Sequence, residues 1–421
     1  MTSEAHKQPK KGLFACVYAS FFYLGLLYPV IIGVLSIPEV QKHFAYGHGL
    51  KFPLFTKYDA PEKYSLAPGK TFNTNFSTPD NCTLGAWFVL ADPYYQNLRM
   101  SSPKQLSPLT KDAVLGAIQA FPTILFLHGA GGTRATSWRV GSYRSFTSRL
   151  QANVFSIDYR GFGDSTGSPD SDGLILDAYT AWRWLLQHGA EPEDVVIYGH
   201  SLGTGVAGQL MRRLAIEGVA PRGVALLGPF SSLSKLIETH AFLGIPILQP
   251  LQSFSWGLKL LKYIIRHEFD TLAAIQDFHV PTFVAHSQND MEVPHTHAKT
   301  LIDTLLEPLL PEATVQLPSA PGKTLTTEEF LAFRKQQKER SLKRGEIVRT
   351  TDVPNFGMIE EFQGLHSPIV YVETFWGSHA EIGAQEGVQD QMAKLFGLGA
   401  YRAQRREGES VVHRAVRHLT E

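Results

Sequence analysis

The amino-acid sequence predicts an α/β protein in which a mostly parallel β-sheet is flanked by helices. Two observations lead to this fold class. Short apolar runs of strand length alternate with longer segments of helical periodicity, which is typical of a parallel sheet covered on both faces. One run also ends in a serine between two glycines and continues directly into a helical pattern. The predicted strands are 84–90, 123–127, 154–157, 195–198, 223–227, 282–285 and 369–372, and the clearest predicted helices are 142–150, 174–187 and 202–214.

Length and composition are compatible with one large α/β domain that carries insertions. The chain has 421 residues, of which 43% are hydrophobic, so it can bury a sizeable core. The net charge is zero and only 19% of residues are charged, so we expect no nucleic-acid partner. The two cysteines are Cys16 and Cys82. Because Cys16 lies in the apolar segment described next, we expect no disulfide between them.

An apolar segment near the N-terminus predicts a membrane anchor. Residues 13–37 are 25 positions without a formal charge, and about 20 apolar residues suffice for a helix to cross a bilayer. A signal peptide has a shorter apolar core, and no clear cleavage site of small residues follows this segment. We therefore expect a transmembrane signal anchor at 12–37, preceded by a short N-terminus at 1–11. A buried N-terminal core helix is the alternative.

The charges around this segment predict its orientation. Three lysines precede it, whereas Lys42 is the only Lys or Arg in the stretch of about a dozen residues that follows. The preceding lysines are Lys7, Lys10 and Lys11. The positive-inside rule places the N-terminus in the cytosol and the rest of the chain in a lumen, for which we expect the endoplasmic reticulum. Two N-glycosylation triplets, at Asn75 and Asn81, agree with this orientation.

The rest of the chain divides into a connection, an α/β domain and a tail. Residues 38–118 are expected to form a juxtamembrane connection that includes the first strands. The α/β domain is expected at 119–397. A tail rich in arginine follows at 398–421, and we expect it to be solvated.

Two insertions interrupt the α/β domain. Residues 231–275 separate two predicted strands by far more than a usual connection. Their strongly apolar part suits a lid over an oily pocket or a helix on a membrane surface; a helix that simply covers the sheet is equally compatible. The second insertion, 307–367, contains a charged segment at 326–346 whose acidic start and basic end predict a solvated surface helix.

The segment YGHSLGTG, at 198–205, is the strongest functional signal. It lies between a predicted buried strand and a predicted helix, and Gly199 and Gly203 flank Ser201. In this G-x-S-x-G pattern the serine occupies a strained turn that exposes its hydroxyl, and side chains at the flanking positions would collide. An ordinary glycine-containing loop is the alternative. The strand before and the helix after favour a nucleophilic serine.

A nucleophilic serine needs a histidine to accept its proton and a carboxylate to orient that histidine. In this architecture the acid precedes the histidine along the chain, and each lies on a loop after a strand. Asp290 follows the sixth predicted strand and His379 follows the last one. We therefore expect the catalytic residues to be Ser201, Asp290 and His379, with Glu292 as the alternative acid. His200, beside the serine, is expected to be a packing residue.

Two backbone N–H groups are candidates for stabilising the oxyanion of a tetrahedral intermediate. Leu202 follows the serine and begins a helix, whose dipole favours negative charge. The segment LHGAGGT, at 127–133, follows a predicted strand, and its glycines let the backbone approach a substrate. We expect Ala130 to donate the second N–H. A phosphate-binding loop is disfavoured because its G-K-[ST] ending is missing, and since no zinc-ligand spacing occurs we expect neither a metal nor an organic cofactor.

Five segments match a known family in order and spacing. They resemble the motifs of the α/β-hydrolase superfamily and read HGAGG, IDYRGFGDSTG, GHSLGTG, HSQNDMEVP and GSHAEI. The resemblance covers residues 83–306 and 368–396. Together with the anchor and the glycosylation triplets, it makes the chain similar to the membrane-anchored monoacylglycerol and lysophospholipid lipases of the domain-twelve subfamily. The insertion at 307–367 departs from the family pattern.

This resemblance implies an α/β-hydrolase fold and a set of residue roles. By resemblance, Ser201 is the nucleophile, Asp290 the acid and His379 the base. Asp158 and Arg160, in the DYRGFGDS segment, are implied to fix loops near the site.

We expect the chain to hydrolyse carboxylic esters of lipids, monoacylglycerols or lysophospholipids, through an acyl-enzyme. The anchor and the apolar insertion favour a lipid substrate, whereas the three catalytic residues do not select the acyl group. A thioesterase that removes palmitate from proteins and a serine peptidase are therefore alternatives. A catalytically inactive membrane interaction module is an alternative from another class, and the complete set of three residues argues against it. The expected partners are the lipid substrate and the membrane; no protein partner is indicated.

Overall fold

The structure is a computed structural model that describes residues 13–101, 109–233, 235–236, 269–315, 317 and 324–402. Most of the predicted lid, residues 237–268, lies outside the described residues, as does the tail from 403 onward.

In this part of the chain one sheet contains ten strands, and its six central strands run parallel. The order across the sheet is β1-β2-β4-β3-β5-β6-β7-β10-β9-β8, where the strands are β1 Thr71–Ser77, β2 Thr83–Val89, β3 Thr123–Leu127, β4 Asn153–Ile157, β5 Val195–His200, β6 Gly223–Leu227, β7 Thr282–Ser287, β8 Arg349–Val353, β9 Gly357–Gln363 and β10 Pro368–Thr374. The six parallel strands are β4, β3, β5, β6, β7 and β10, in their order across the sheet. Two antiparallel strands flank them on each side. The predicted fold class, α/β with a mostly parallel sheet, is confirmed.

Helices cover both faces of this sheet. In chain order the described helices are α1 Leu13–Leu35, α2 Pro38–Tyr46, α3 Asp92–Ser101, α4 Lys111–Ala120, α5 Ser137–Ser148, α6 Ser171–Gln187, α7 Leu202–Ile216, α8 Thr271–Ala274, α9 Thr296–Leu306, α10 Thr327–Ile347, α11 Ser378–Glu381 and α12 Glu386–Phe396. Alternate residues of β3 point to opposite faces, so Leu125 packs with α6 and α7 while Phe126 packs with α5 and α12. Burial on both faces explains why the central strands are apolar at nearly every position.

All seven strands predicted from the sequence are confirmed, as β2 to β7 and β10. Three strands were not predicted. β1 extends the sheet beyond β2, and β8 and β9 extend it beyond β10. β8 reads RTTDV and is exposed along most of its length, so it has no apolar pattern and only pairing with β9 identifies it.

The second insertion is thus part of the main sheet. Its charged segment forms α10, which confirms the predicted surface helix at 326–346. The helix begins with a capping box, because the Thr326 side chain accepts a hydrogen bond from Glu329 N–H and the Glu329 carboxylate accepts one from Thr326 N–H. β8 and β9 follow at once and lead into the strand that precedes His379.

The N-terminal segment forms α1 and α2. Pro38 occupies the first turn of α2, and Gly47, with φ of +60°, ends it in the left-handed conformation. Among the described residues, no helix combines the length and the apolar character needed to cross a membrane. The structure therefore gives no support to the transmembrane anchor predicted at 12–37.

A buried ion pair holds the loop after β4 against the start of α5. Asp158 Oδ1 accepts a hydrogen bond from Arg134 N–H at 2.7 Å, and Arg134 Nη1 donates to Asp158 Oδ2 at 2.6 Å. Both side chains are fully buried. Burial alone would raise the pKa of Asp158, but the charges of Arg134 and His128 outweigh burial and hold the pKa below its ordinary value.

A second pair acts in the same way on the neighbouring loop. Arg160 donates to Asp177 Oδ1 of α6 at 2.8 Å and to Asp80 Oδ2 of the β1–β2 turn at 2.7 Å. Asp158 and Arg160 thus each tie a loop of the DYRGFGDS segment to another element, in line with the loop-fixing role that the resemblance implied.

Replacement of Arg134 by Met should lower the free energy of unfolding by about 3–5 kcal/mol, because it leaves the buried Asp158 carboxylate without its charge partner. The matched control is Arg212→Met, whose ion pair with Asp277 is about half exposed and should be worth about 1 kcal/mol or less. Urea denaturation of both variants measures the difference. Equal losses would show that the buried pair has no special role in stability.

Candidate active site

The carboxyl ends of the parallel strands bring the predicted site residues to one edge of the sheet. Ser201 directly follows β5 and precedes α7. Asp290 lies on the loop after β7, and His379 lies in α11, after β10. Since β5, β7 and β10 run parallel in one sheet, the loops that follow them lie on the same edge.

Ser201 has the strained backbone that the G-x-S-x-G pattern predicts. Its φ is +52° and its ψ is −121°, a backbone conformation that residues other than glycine rarely adopt. A Cβ at Gly199 would lie 2.5 Å from Gly203 O, and a Cβ at Gly203 would overlap Leu127 O. The expectation that flanking side chains would collide is therefore correct.

The structure brings Asp290 and His379 together. His379 Nδ1 donates to Asp290 Oδ2 at 2.6 Å, and both side chains are buried. His379 Nε2, the other ring nitrogen, is buried and has no hydrogen-bond partner among the described residues. Because Nδ1 carries the proton that Asp290 accepts, Nε2 of the neutral ring has a free lone pair.

Four donors surround the Asp290 carboxylate. Oδ2 also accepts from His286 Nε2 at 3.1 Å, and Oδ1 accepts from the N–H groups of Glu292 and Val293, both at 2.8 Å. Burial would raise the pKa of Asp290, but the hydrogen bonds from His286 and His379 outweigh burial and hold it far below its ordinary value. The carboxylate is therefore charged at neutral pH.

His286 was not identified as a site residue from the sequence. It is the penultimate residue of β7 and is fully buried, which makes it look like a packing residue. Its Nε2 lies 3.1 Å from a carboxylate oxygen of Asp290 and 2.9 Å from Val293 O. Two acceptors require a proton on Nε2, so His286 positions the acid. The spacing of His286 and Asp290 within one strand-to-loop segment is the signal that could have indicated this role.

The alternative acid is placed differently. Glu292 Oε2 lies 3.9 Å from His379 Nε2, and its side chain is 68% exposed. Burial would lower the pKa of His379, but the hydrogen bond and charge of Asp290, with a smaller effect of Glu292, outweigh burial and raise it. Asp290, and not Glu292, therefore bonds to the ring nitrogen that orients the imidazole.

His200 does more than pack in the turn. Its Nε2 donates to the backbone oxygen of His379 at 2.8 Å, which connects the residue before Ser201 to the helix that carries His379. Burial and the neighbouring His379 lower the pKa of His200 to about 3, so this ring is neutral at physiological pH.

The glycine loop, residues 128–133, lies against the serine. A Cβ placed on Gly129 would lie 3.0 Å from Ser201 Cβ. On the opposite side of the loop Arg139 is buried in α5, and its Nη2 donates to Gly129 O at 2.9 Å and to Gly131 O at 2.6 Å. Sequence reasoning did not identify Arg139, since its loop contacts arise only from packing.

These contacts leave the N–H of Ala130 available. The carbonyl of Gly129 and the N–H of Ala130 belong to the same peptide and point in opposite directions, so the bond to Arg139 directs the Ala130 N–H away from α5. The next two N–H groups are occupied, because Gly131 donates to Tyr46 O and Gly132 donates to Leu50 O, both at 2.8 Å. Ala130 N–H donates no hydrogen bond within the described chain.

Leu202 offers the other expected donor. It is the first residue of α7, where an N–H has no carbonyl partner inside the helix. The described residues contain no group of three or more His, Cys, Asp or Glu side chains that could hold a metal ion. The groups described at this edge are a hydroxyl, an imidazole oriented by a carboxylate, and backbone donors.

Comparisons with known proteins agree with this fold. The model of the alpha/beta hydrolase family matches residues 124–354. A lysophosphatidylserine lipase ABHD12 from Danio rerio is 29% identical over 277 residues, 65% of this chain and 68% of that protein. The ABHD12 of Bos taurus is 32% identical over 55% of this chain and 56% of its own length. A crystal structure of an alpha-beta hydrolase from Vibrio vulnificus shares the fold, with a TM-score of 0.50 and 15% identity over 84% of this chain and 91% of that one.

Replacement of Asp290 by Asn should lower the pKa of His379, because burial, which lowers it, is then no longer opposed by the carboxylate. The matched control is Glu292→Gln, the same chemical change two positions away on an exposed group, which should lower the pKa less. NMR titration of the labelled imidazole measures both changes. A larger effect in Glu292→Gln would identify Glu292 as the acid.

Proposed function

Because this chain belongs to the alpha/beta hydrolase family, we propose that it is a serine hydrolase that cleaves carboxylic esters of lipids. The resemblance predicted from the sequence motifs is confirmed by the family match and by the ABHD12 and ABHD12B relatives. The observation that carries the proposal is the buried His379–Asp290 hydrogen bond at the sheet edge where Ser201 occupies a strained turn. The name of the relatives, lysophosphatidylserine lipase, supports a lysophospholipid as substrate, and the sequence resemblance adds a monoacylglycerol as the second candidate.

In the proposed mechanism Ser201 Oγ attacks the acyl carbon of the ester. His379 Nε2 accepts the hydroxyl proton as the bond forms, and Asp290 stabilises the resulting imidazolium and keeps Nδ1 protonated. The oxyanion accepts hydrogen bonds from Ala130 N–H and Leu202 N–H, and loss of one such donor typically costs about 3–4 kcal/mol.

The intermediate then collapses to products. The C–O bond to the alcohol breaks, His379 Nε2 returns the proton to the leaving oxygen, and an acyl-enzyme remains on Ser201. Water, deprotonated by the same nitrogen, attacks the acyl carbon; the bond to Ser201 Oγ then breaks, His379 Nε2 returns the proton to Oγ, and the fatty acid leaves. Both half-reactions therefore need the lone pair on Nε2, which has no partner within the described chain.

We further propose that the chain is held in a membrane with residues after 37 in the lumen of the endoplasmic reticulum. Sequence features support this topology, namely the lysines before the apolar segment and the two glycosylation triplets. Asn75 on the edge strand β1 and Asn81 in the turn that follows are both exposed, so both asparagines are accessible to a lumenal transferase.

Replacement of Ser201 by Ala should reduce hydrolysis of a lysophospholipid or monoacylglycerol by about 10⁴-fold or more, because the nucleophile is lost. A fluorophosphonate probe should label the wild type and not this variant, while thermal unfolding of the two stays the same. Ser148→Ala, at the exposed end of α5, is the matched control. Wild-type turnover by Ser201→Ala would refute the mechanism, and a folded wild type that the probe does not label would indicate an inactive interaction module.

Expression in mammalian cells tests the topology. Endoglycosidase treatment should increase gel mobility, and Asn75→Gln and Asn81→Gln should each remove one step of that shift. The matched control is Asn355→Gln, since Asn355 is exposed and has a positive φ like Asn81 but lies outside any glycosylation triplet. An unglycosylated wild-type chain would contradict the lumenal placement.

A further inference from the structure

A short apolar loop stands out on the surface beside the candidate site. Residues 50–57 read LKFPLFTK, and we call this segment the apolar loop. The side chains of Leu50, Leu54 and Phe55 are 59%, 66% and 97% exposed. Burial of one such side chain is worth about 1.5–3 kcal/mol, and folding does not recover this energy here. Exposed apolar patches of this kind indicate a surface that contacts another phase or partner.

The backbone of Phe55 strengthens this indication. Its φ is +56°, in the left-handed region that glycine adopts without strain and that is unfavourable for an aromatic residue. Because the ring is almost fully exposed, packing inside this chain does not offset the strain. Neither the backbone conformation nor the contacts of Phe55 within the described domain therefore favour a large apolar side chain at this position.

Cations and aromatic rings border the apolar loop. Lys51 and Lys57 are exposed within it, although the Lys51 ammonium also donates to Gly163 O. A groove of about 580 Å³ adjoins the loop, and its lining includes Phe52, Tyr64, Trp138, Lys63 and Arg144. The loop contains no acidic residue, and Asp59 and Glu62 follow it in the sequence, so the cations named here outnumber the neighbouring carboxylates. Aromatic rings and lysines around exposed apolar side chains suit the interface of an anionic lipid bilayer.

The apolar loop also contacts the glycine loop of the candidate site. Leu50 O accepts a hydrogen bond from Gly132 N–H at 2.8 Å, and Phe52 O accepts from the hydroxyls of Thr133 and Thr136, both at 3.0 Å. A surface bound by the apolar loop would therefore lie beside the edge of the sheet where Ser201 is located.

We propose that the apolar loop docks onto the surface of a bilayer that contains anionic phospholipid. Leu54 and Phe55 insert among the acyl chains, and Lys51 and Lys57 meet the lipid phosphates. A lipid surface fits better than a protein, because the loop offers four apolar side chains whereas a stable protein interface uses about 20–30 residues on each side. Insertion needs no catalysis, so this inference goes beyond the proposed hydrolase function.

Fluorescence quenching in the full-length chain tests the insertion directly. The variant Phe55→Cys is made in a background in which Cys16 and Cys82 are replaced by serine. An environment-sensitive fluorophore is attached to the new cysteine. The labelled chain is mixed with vesicles of phosphatidylcholine and phosphatidylserine whose acyl chains are brominated. The fluorophore at 55 should be quenched, and less so without phosphatidylserine. The control is Leu342→Cys on α10, which is 61% exposed and should stay unquenched. Absent quenching at 55, or equal quenching at both positions, would overturn the proposal.

Activity provides a second, independent measurement. The double variant Leu54→Ser, Phe55→Ser should hydrolyse a lipid ester in vesicles about tenfold more slowly or worse, since two apolar side chains no longer insert. Its kcat/KM on a dissolved short-chain ester should equal that of the wild type, and Leu342→Ser should leave both rates unchanged. Equal losses on both substrates would assign the residues to folding and overturn the proposal. If sedimentation shows that the chain self-associates through this loop, the loop binds a second copy of the chain and the lipid proposal is overturned.

The two proposals fail separately. If the wild type hydrolyses no ester but the fluorophore at 55 is quenched, the docking surface stands without the hydrolase. If the wild type is active and the fluorophore is not quenched, the hydrolase stands and the docking surface does not.

Discussion

The site depends on one buried charge, the carboxylate of Asp290, and on the four hydrogen bonds that hold it. Two come from the imidazoles of His286 and His379, and two come from backbone N–H groups of the turn after β7. An isolated carboxylate would be costly to bury, and these donors compensate that cost. Since all its acceptor positions are engaged, the carboxylate has one orientation. This orientation fixes the tautomer of His379 with the proton on Nδ1, which leaves a free lone pair on Nε2.

The second constraint is the position of the glycine loop, which is held on one side by α5 and on the other by the segment around the end of α2. Arg139, on α5, donates hydrogen bonds to two of its carbonyls, and the backbone at the end of α2 and just after it accepts two of its N–H groups. These bonds occupy the N–H groups that follow Ala130 and leave the Ala130 N–H available to a substrate. The backbone of the N-terminal segment therefore forms part of the support of the candidate oxyanion site.

This arrangement relates the surface of the domain to its chemistry. The apolar loop and the support of the glycine loop are consecutive stretches of one segment, with Leu50 and Phe52 taking part in both. These hydrogen bonds connect the proposed docking surface directly to the loop that carries the candidate oxyanion donor. The second insertion lies at the other side of the sheet, where β8 and β9 extend it beyond β10 and fix the strand that leads to His379.

The sequence by itself determined the features that depend on local pattern. Central strands are buried on both faces and are therefore apolar at nearly every position, and the turn at Ser201 requires glycines because side chains there would collide. The order of Asp290 and His379 after their strands could be predicted because parallel strands end at one edge. The tertiary structure alone decided the rest. β8 is polar and is identified only by its pairing, and His286 and Arg139 look like ordinary buried residues until the fold places a carboxylate or a loop carbonyl beside them. Hydrogen bonds between groups far apart in the chain leave no periodic signal, so the sequence predicts which groups can react but not which neighbours hold them.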